Sequence, residues 1–396
     1  MLRRLFCGSE SVMSEKVLPK QSGSGKVRTM LVFLMPLVYR PEEAGFAAGF
    51  HHLSAECGGY IFAAGAVTRH TIGSFVFYGS KFRHGILARF FSRLWAQVLF
   101  PVLVLRGQPK PDAIVTYDPY ASGLAGILLK WAWGSRLVVQ INGDYHETEP
   151  SDAGLKKWVM QWIMDFSLRK ADAVKVLNDS QEWYIRRTYP VTRVFNFPNL
   201  IASDYFKRLS TFQGDYFLSI GYPFKLKGMD IVIKAFVQVA EQHPTIKLRI
   251  MGYCPENELN YYRDLAHKNP CVEFIKPAWI AEVGEQLRGC YALVHASRSE
   301  AMGRVLLEAM ACKKPIITTR TNGGKTCVED SVTGLHCAIN DVQELAEKME
   351  VLLSDPARAR SMGQAGFDRL DRLFSPPQYL SSFMGMLRTL NQSAIS

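Results

Sequence analysis

The sequence lacks the features that mark several large protein classes. No stretch approaches the roughly 20 consecutive apolar residues that a membrane-spanning helix requires, and the longest, 98–105, is interrupted by Pro101. The eight cysteines are scattered without a CxxC pair or a metal-ligand spacing, which indicates neither a disulfide framework nor a zinc site. No apolar core of signal-peptide length follows Arg3 and Arg4, so the expected location is the cytoplasm.

Acidic residues are missing between Glu56 and Asp112, in a chain whose formal net charge is +11. The basic residues of that segment are Arg69, Lys81, Arg83, Arg89, Arg93, Arg106 and Lys110. Positive charge is therefore concentrated in the amino-terminal half. A basic nucleic-acid-binding protein is one interpretation, but no recognisable module with interleaved aromatic residues is present, so we expect no nucleic-acid partner.

A wide apolar stripe at helical spacing lies inside this basic segment. Its members are Ile86, Leu87, Phe90, Phe91, Leu94, Trp95, Val98 and Leu99, with Arg89 and Arg93 together on the opposite side. Such a helix predicts peripheral contact with an anionic membrane surface, at the inner face of the cytoplasmic membrane. A helix that packs on its own sheet explains the same stripe equally well.

Apolar strands alternate with amphipathic helices from residue 28 onward. Strands are predicted over 30–34, 60–64, 113–116, 137–141 and 173–177, and helices over 43–57, 86–100 and 155–169. The pattern restarts with a strand over 216–220, a helix over 229–242, a strand over 247–251, a helix over 259–267 and a strand over 272–275. Continuous apolar strands joined by helices predict a parallel sheet covered on both faces, here twice.

The restart of the pattern predicts two α/β domains. A flexible tail over 1–28, rich in Ser, Gly and Lys, precedes an amino-terminal domain over 29–205 and a second domain over 206–374. A chain of 396 residues, 48% of them hydrophobic, is long enough for two cores. Two doubly wound halves that face each other would gather ligands at the carboxyl ends of their strands, in the crevice between the domains.

The most informative segment of the chain is 297–315. It follows a predicted strand over 291–296 and contains a loop over 297–300 and a helix over 305–312. Glu300 lies just before the helix, and Glu308 lies inside it. The first N–H groups of a helix have no partner within it, so the helix entry is suited to a phosphorylated ligand. The groups expected to bind this anion belong to Met302, Gly303, Arg304 and Val305.

The two glutamates have other interpretations. A glycoside hydrolase also uses two carboxylates, but these lie roughly 5 to 9.5 Å apart, whereas eight residues of helix span about 12 Å. The spacing therefore disfavours a hydrolase. A solvated helix face accounts for two glutamates eight residues apart without any chemistry.

The order of strand, loop, helix and strand continues with Asn322-Gly323-Gly324 and then with the segment 329–335. It resembles the carboxy-terminal domain of the retaining GT-B glycosyltransferases of family 4, which carry a Glu-x7-Glu motif at this helix. The resemblance implies two facing Rossmann-like doubly wound domains with an inter-domain cleft, and a last helix, 375–396, that crosses back to the amino-terminal domain. It also implies a UDP- or GDP-sugar donor and a glycan or lipid-linked acceptor, in cell-surface polysaccharide or glycolipid synthesis.

The resemblance assigns roles in the second domain. Glu300 would contact the transferred sugar and Glu308 the ribose hydroxyls, while Lys227 would grip the donor diphosphate. Gly221 and Gly252, in the loops that end two strands, would flank the donor mostly through backbone groups. One position in this domain departs from the family pattern. Tyr222 stands where an arginine is expected, and Lys225 would replace its charge as a point cation; two solvated lysines remain the alternative.

The first domain departs from the family at a position near the donor sugar. Asn142 stands where a histidine is expected, and Asp144 and His146 follow it. These side chains, with Asp118 at the end of a predicted strand, are candidates for binding the sugar or the acceptor. A turn-forming Asn-Gly pair explains the same residues without chemistry.

No nucleophile with a base partner emerges from the sequence, so the resemblance implies a front-face departure of the nucleoside diphosphate. No Asp-x-Asp ligand pair is present, and we predict an enzyme that needs neither a metal nor any other cofactor. A nucleotide-sugar epimerase on the same fold, or a catalytically weak sugar-nucleotide-binding protein, remain alternatives. The second has weight because Tyr222 and Asn142 depart from the family pattern.

Overall fold

The computed structural model describes residues 29–38, 44–65, 68–81, 95–144, 154–191, 193–201, 206–207, 214–267, 269–276 and 280–392. The predicted tail, 1–28, lies outside them. Backbone contacts divide the chain into two compact units. The first runs to Asn142, continues through Phe197 and ends with the segment from Tyr379 onward, and the second runs from Pro198 to Gln378 and includes Gly143 and Asp144.

The first unit is built on a sheet of eight strands in the order β3-β4-β2-β1-β5-β6-β7-β8. The strands are β1 (Thr29–Val38), β2 (Cys57–Gly65), β3 (Thr68–Ile72), β4 (Phe75–Lys81), β5 (Ala113–Thr116), β6 (Arg136–Gln140), β7 (Ala173–Val176) and β8 (Val194–Asn196). All neighbouring pairs are parallel except β3 and β4, which form an antiparallel hairpin at the edge. The inner strands are buried on both faces and mostly apolar, although β7 carries a fully buried lysine, Lys175.

Helices cover this sheet between its strands. They are α1 (Ala44–Leu53), α2 (Phe100–Val104), α3 (Ala121–Trp133), α4 (Leu155–Lys170) and α5 (Asp179–Thr188). The predicted helix over 86–100 is corrected in its described part, where Trp95–Leu99 forms a π-helical turn ahead of α2. Pro101 has no N–H to donate to the carbonyl four residues earlier, which explains the break in the α-helical pattern. Residues 82–94, and with them most of the predicted membrane-binding stripe, lie outside the described residues.

The second unit contains a wholly parallel sheet of six strands in the order β11-β10-β9-β12-β13-β14. Its strands are β9 (Tyr216–Ile220), β10 (Lys247–Met251), β11 (Val272–Ile275), β12 (Ala292–His295), β13 (Ile316–Thr319) and β14 (Leu335–Cys337). Its helices are α6 (Met229–Gln242), α7 (Glu256–Leu265), α8 (Ile280–Gly289), α9 (Arg304–Ala311), α10 (Asn322–Cys327), α11 (Val342–Ser354) and α12 (Pro356–Leu373). The chain winds outward from β9 in one direction and then from β12 in the other. The order of the strands therefore reverses between β9 and β12, which is where open α/β sheets bind ligands.

The last helix, α13 (Pro376–Gln392), contributes to the core of the first unit. Phe383 is fully buried there and stacks on Phe33 of β1, with ring centroids 6.3 Å apart. It also meets Phe197 edge to face at 6.5 Å. Aromatic pairs of this kind stabilise beyond their buried area. Within the described part of the chain, no helix combines the length and the apolar character that spanning a membrane requires.

Candidate functional site

Two loops meet where the strand order of the second unit reverses. One follows β9 and runs from Gly221 to Gly228, and the other follows β12 and leads to Glu300. Gly228 has a φ of +65°, and a Cβ there would lie 2.0 Å from the carbonyl oxygen of Ala296. Only glycine permits this approach. The backbone N–H of Arg298 then donates to the carbonyl of Leu226 at 2.8 Å.

An ion pair joins Arg298, in the second of these loops, to Asp230, which lies on α6 two residues after the first loop. Arg298 donates through Nη1 and Nη2 to the two carboxylate oxygens of Asp230, at 2.9 and 2.8 Å. Nη1 also donates to the carbonyl of Lys225. Burial raises the pKa of Asp230, but the hydrogen bonds and charge of Arg298 outweigh it, so the pKa lies below its usual value. A bidentate pair fixes direction as well as distance, and here it holds the loop that carries Lys227 against the loop that carries Glu300.

Lys227 and Glu300 form the centre of the site. Lys227 Nζ donates to Glu300 Oε2 at 2.5 Å, and both side chains are largely buried. His295, at the end of β12 and only 2% exposed, places Nε2 3.3 Å from the same oxygen. Nε2 has no other partner among the described residues, and Nδ1 lies 3.4 Å from Thr318 Oγ1. One carboxylate thus faces two nitrogen donors, although sequence reasoning had found only one of them.

This environment keeps Glu300 ionised. Burial raises the pKa of its carboxyl, but the hydrogen bonds and charges of His295 and Lys227 outweigh burial and lower the pKa to about 2. Hydrogen bonds and opposite charges that favour the anion are sufficient for such a shift. At neutral pH the site therefore presents a carboxylate whose hydrogen bonding is directed by two fixed neighbours, which suits the binding of a hydroxyl-bearing ligand.

The backbone of Glu300 is held by the loop that begins α10. The N–H of Gly323 donates to the carbonyl of Glu300 at 2.6 Å. A Cβ at Gly323 would lie 2.7 Å from the amide nitrogen of Met302 and 2.9 Å from the side chain of Glu300. A larger residue at this position would push the glutamate away. The Asn-Gly-Gly segment that follows β13 therefore acts as a support for the segment that carries Glu300.

Helix α9 begins beside this carboxylate without a side-chain cap. Its N-cap residue is Gly303, which has a φ of +73° and offers no side-chain acceptor. The N–H of Leu306 is satisfied by the carbonyl of Gly303 at 2.9 Å. The earlier amides, those of Arg304 and Val305, receive no side-chain acceptor from the N-cap, and a helix end of this kind favours an anion. Met302 is 3% exposed and its carbonyl accepts from Cys327 Sγ–H at 2.8 Å, so its side chain packs in the interior.

Glu308 lies on the first turns of α9, where it is 13% exposed. Burial raises its pKa, and the charge of Arg304 lowers it by less. Arg304 Nη2 lies 3.7 Å from Glu308 Oε1, but the arginine side chain is 61% exposed and its guanidinium is mostly hydrated. The interpretation of Glu300 and Glu308 as a solvated helix face is therefore wrong for both residues. A carboxylate kept in a partly dry position at some cost is a frequent mark of a binding site.

The loops after β9 and β10 carry two exposed tyrosines. Tyr222 and Tyr253 are 55% and 56% exposed and meet edge to face, with ring centroids 5.5 Å apart. A Cβ at Gly252 would lie 2.2 Å from the carbonyl oxygen of Gly221, so the two loops touch through their glycines. Lys225 is exposed next to Tyr222. The expected arginine is thus replaced by one member of an aromatic pair at the rim of the site.

The predicted residues of the first unit lie at the carboxyl ends of β5 and β6. Asn142 Nδ2 donates to the carbonyl of Tyr117 at 2.8 Å and so ties the loop after β6 to the end of β5. Asp118 is 7% exposed and accepts from the N–H of Tyr120 at 2.7 Å. Both contacts have a structural role. Asp144 is also buried and belongs with the second unit, and His146 lies outside the described residues.

Sequence reasoning missed the roles of four residues at the site. His295 was visible as a polar residue at the end of an otherwise apolar strand, and that signal was available. Asp230 and Arg298 gave no local signal, because they are 68 positions apart and meet only through the order of the strands. The supporting contact of Gly323 was likewise invisible, since it depends on a backbone approach rather than on a side chain.

Two mostly parallel sheets with helices between their strands define Rossmann-like α/β domains, and known proteins match both. Residues 205–369 match the family described as glycosyl transferases group 1, and residues 65–199 match the glycosyl transferase 4-like domain. Together the two matches span most of the chain. The chain belongs to the group 1 glycosyltransferases, with the GT-B fold.

Individual curated proteins and solved structures are also similar to this chain. An uncharacterized glycosyltransferase of Methanocaldococcus jannaschii is 28% identical over 262 residues, which cover 64% of this chain and 69% of the relative. Curated D-inositol 3-phosphate glycosyltransferases align over only about a third of their own length. The solved sucrose-phosphate synthase of Thermosynechococcus elongatus superposes with a TM-score of 0.78 at 18% identity, covering 92% of this chain and 100% of its own. HepE of Anabaena, solved in complex with UDP-glucose, gives 0.71 at 16% identity, covering 91% and 99%. At these identities the two structures show the fold alone.

Proposed function

We propose that this glycosyltransferase moves a sugar, with retention of its anomeric configuration, from a UDP- or GDP-sugar to a glycan or lipid-linked acceptor. The observation that carries the proposal is the Lys227–Glu300 pair beside the uncapped start of α9. A lysine and a helix end supply positive charge for a diphosphate, and an ionised carboxylate supplies an acceptor for sugar hydroxyls. The complex of HepE with UDP-glucose shows that this fold accommodates such a donor in another protein.

The geometry suggests the order in which these groups act. Lys227 Nζ donates to Glu300 Oε2 at 2.5 Å. When a donor enters, the diphosphate takes the amides of Arg304 and Val305 and draws Lys227 away from the carboxylate. Glu300 is then free to accept a hydroxyl of the transferred sugar, while His295 Nε2 stays close to the carboxylate. Glu308, further along α9, is placed to accept the ribose hydroxyls.

The departing nucleoside diphosphate accumulates negative charge as the glycosidic bond breaks. Lys227 and the positive end of α9 oppose that charge from fixed positions, and preorganised charges of this kind provide a large share of enzymatic rate enhancement. These groups take the place that a divalent cation has in other transferases, so metal independence is part of the proposal. Front-face departure and a role in cell-surface polysaccharide or glycolipid synthesis are its finer parts, and they rest on the family resemblance. The proposed cytoplasmic location rests on the amino-terminal sequence, which has no apolar core of signal-peptide length after Arg3 and Arg4.

A panel of nucleoside diphosphates and their sugars tests the proposal. We expect one base to raise the thermal unfolding midpoint, since a ligand that binds only the folded state stabilises it. We also expect the matching nucleotide sugar to be turned over in the presence of EDTA. An epimerised sugar nucleotide formed without any acceptor would instead favour an epimerase on the same fold. If no nucleoside diphosphate or nucleotide sugar binds, the proposal is wrong.

A further inference from the structure

Four of the seven tryptophans of the chain lie largely in solvent on the first unit. Trp131 is 61% exposed, Trp158 65%, Trp162 53% and Trp183 62%. Tryptophan is highly buried on average, so four such side chains on three successive helices require an explanation. We call the surface formed by these four residues the tryptophan face.

The three helices that carry the tryptophan face are neighbours. Helices α3, α4 and α5 connect β5, β6, β7 and β8 in order, and right-handed crossovers in one direction place them on the same side of the sheet. Helix α3 packs on α4 so closely that a Cβ at Gly123 would lie 2.7 Å from Ser167 Oγ. The hydroxyl of Tyr189, just after α5, donates to Asp165 of α4 at 2.6 Å. The tryptophans therefore belong to one continuous layer.

The amino-terminal turns of α4 are apolar on their exposed side. Residues 157–162 are all exposed, including Val159 and Met160. Trp158 and Trp162 are four residues apart and share one side of the helix. On α3, Leu128 is 42% exposed and lies one turn before Trp131. These turns expose apolar area that the core of the first unit does not use.

The helices that carry this apolar area also carry exposed basic residues. Lys157, Arg169 and Lys170 of α4 are exposed, and the Arg187 guanidinium lies over the ring of Trp183, 5.2 Å from its centroid. The acidic residues of α4 and α5 are Asp165, Asp179 and Glu182. Asp165 accepts from Tyr189, Asp179 accepts from Asn196 at 2.7 Å, and Glu182 pairs with Arg186 at 2.8 Å. The charge left available to a partner is therefore mainly positive.

We infer that the tryptophan face binds the headgroup layer of an anionic lipid bilayer. Tryptophan is enriched at membrane interfaces because its large apolar ring carries a polar N–H. Exposed lysine and arginine add an attraction to anionic lipid that weakens with salt. A second copy of the chain is the other possible occupant, but a two-fold contact would bring the same basic residues face to face. The tryptophan face shares no residue with the stripe over 86–99 that the sequence suggested, and it does not rest on the donor site.

Vesicle binding tests the inference on the full-length protein. Sedimentation is measured with phosphatidylcholine vesicles and with vesicles that also contain phosphatidylglycerol, at low and high salt. The test variant is Trp158→Ser/Trp162→Ser, and the matched control is Tyr261→Ser, which removes an aromatic residue that is 52% exposed on α7 of the second unit. We expect wild type and control to bind the phosphatidylglycerol vesicles, and the double variant to bind them at least about tenfold more weakly, since each lost ring removes apolar burial. Brominated lipids should quench the tryptophan fluorescence of the wild type.

Three results would overturn the inference. They are a wild type that binds neither vesicle, a double variant that binds like the wild type, and a wild type that dimerises through this face and becomes a monomer in the double variant. Turnover of a nucleotide sugar with a soluble acceptor is measured in parallel. Loss of lipid binding with unchanged turnover supports the inference, whereas vesicle binding without any turnover contradicts only the proposed function.

Discussion

Lys227 and Glu300 are 73 positions apart in the chain, yet Nζ of one lies 2.5 Å from Oε2 of the other. They meet because β9 and β12 are adjacent parallel strands whose following loops emerge at the same edge of the sheet. The pair occupies the point where the strand order reverses, and a bidentate contact between Arg298 and Asp230 holds both loops in place. The ion pairs and the reversal of the strand order thus lie together in one small region of the second unit.

Replacing Gly228 should disrupt this arrangement at its base. A methyl group at Gly228 meets the carbonyl oxygen of Ala296 and must also adopt a φ of +65°. We expect Gly228→Ala to lower the free energy of unfolding by at least about 2 kcal/mol and to weaken nucleotide binding. Gly385→Ala is the control, because Gly385 lies inside α13 with nothing within 4 Å of its added Cβ. Thermal unfolding should show the control unchanged or slightly stabilised, and equal midpoints for the two variants would contradict the prediction.

Arg298→Lys should show that geometry matters at the loop contact as well as charge. Lysine retains the positive charge but cannot reproduce the two parallel hydrogen bonds to Asp230. We expect nucleoside diphosphate binding to weaken by about tenfold, which corresponds to the loss of a charged hydrogen bond. Calorimetric titration measures this. Asp230→Asn combined with Arg298→Lys should cost less than the sum of the single variants, and strict additivity would show that the two residues act separately.

Glu308→Gln should raise stability while it weakens donor binding. Because burial raises the folded-state pKa of Glu308 above 4.5, ionisation opposes folding. Protonated Glu308 therefore contributes to the stability of the folded state. This contribution is fully present below pH 4.5 and is lost as the pH rises through the pKa of Glu308 in the folded state. The gain in thermal midpoint for Glu308→Gln should therefore be absent at low pH and grow towards neutrality. The exposed Glu347→Gln is the matched control, and a pH-independent difference between Glu308→Gln and wild type would refute the argument.

His295 should act through Glu300 rather than on the donor directly. Its Nε2 lies 3.3 Å from the Glu300 carboxylate, and it is too deeply buried to meet a ligand. We expect His295→Leu to lower kcat by about tenfold or more with little change in KM for the donor, and His295→Gln, which restores an N–H donor, to recover part of the loss. Steady-state kinetics distinguish the two effects. A change confined to KM, or no rescue by glutamine, would assign His295 a packing role only.

Much of the fold was predictable from periodicity alone. The strands over 113–116, 216–220, 247–251 and 272–275 and the helix over 229–242 have the predicted bounds. The β3–β4 hairpin was not predicted: β3 is a half-exposed edge strand with a weak pattern, while β4 is a buried apolar strand that the sequence analysis missed. Helix α7 begins three residues before its prediction, in a polar stretch that no apolar residue marks.

The site was only partly predictable, for a physical reason. The Glu300–Glu308 helix and Lys227 stand out because their motifs are local in sequence. Asp230 and Arg298, by contrast, are brought together by the order of the strands in the sheet. The sequence around either residue therefore does not indicate that it pairs with the other. The roles of Asn142, Asp118 and Asp144 remain predictions, and the contact of Asn142 with Tyr117 explains that residue without chemistry.

Single-turnover release of nucleoside diphosphate, measured with the preferred sugar donor and its acceptor, tests the central claim most directly. Glu300→Gln and Lys227→Ala are compared with Glu347→Gln and Lys234→Ala, which remove the same charges from exposed positions on α11 and α6. If Glu300 and Lys227 hold the donor, both test variants should lose at least about a hundredfold in rate, while both controls match the wild type. Turnover that is unchanged in both test variants would contradict the assignment of the site.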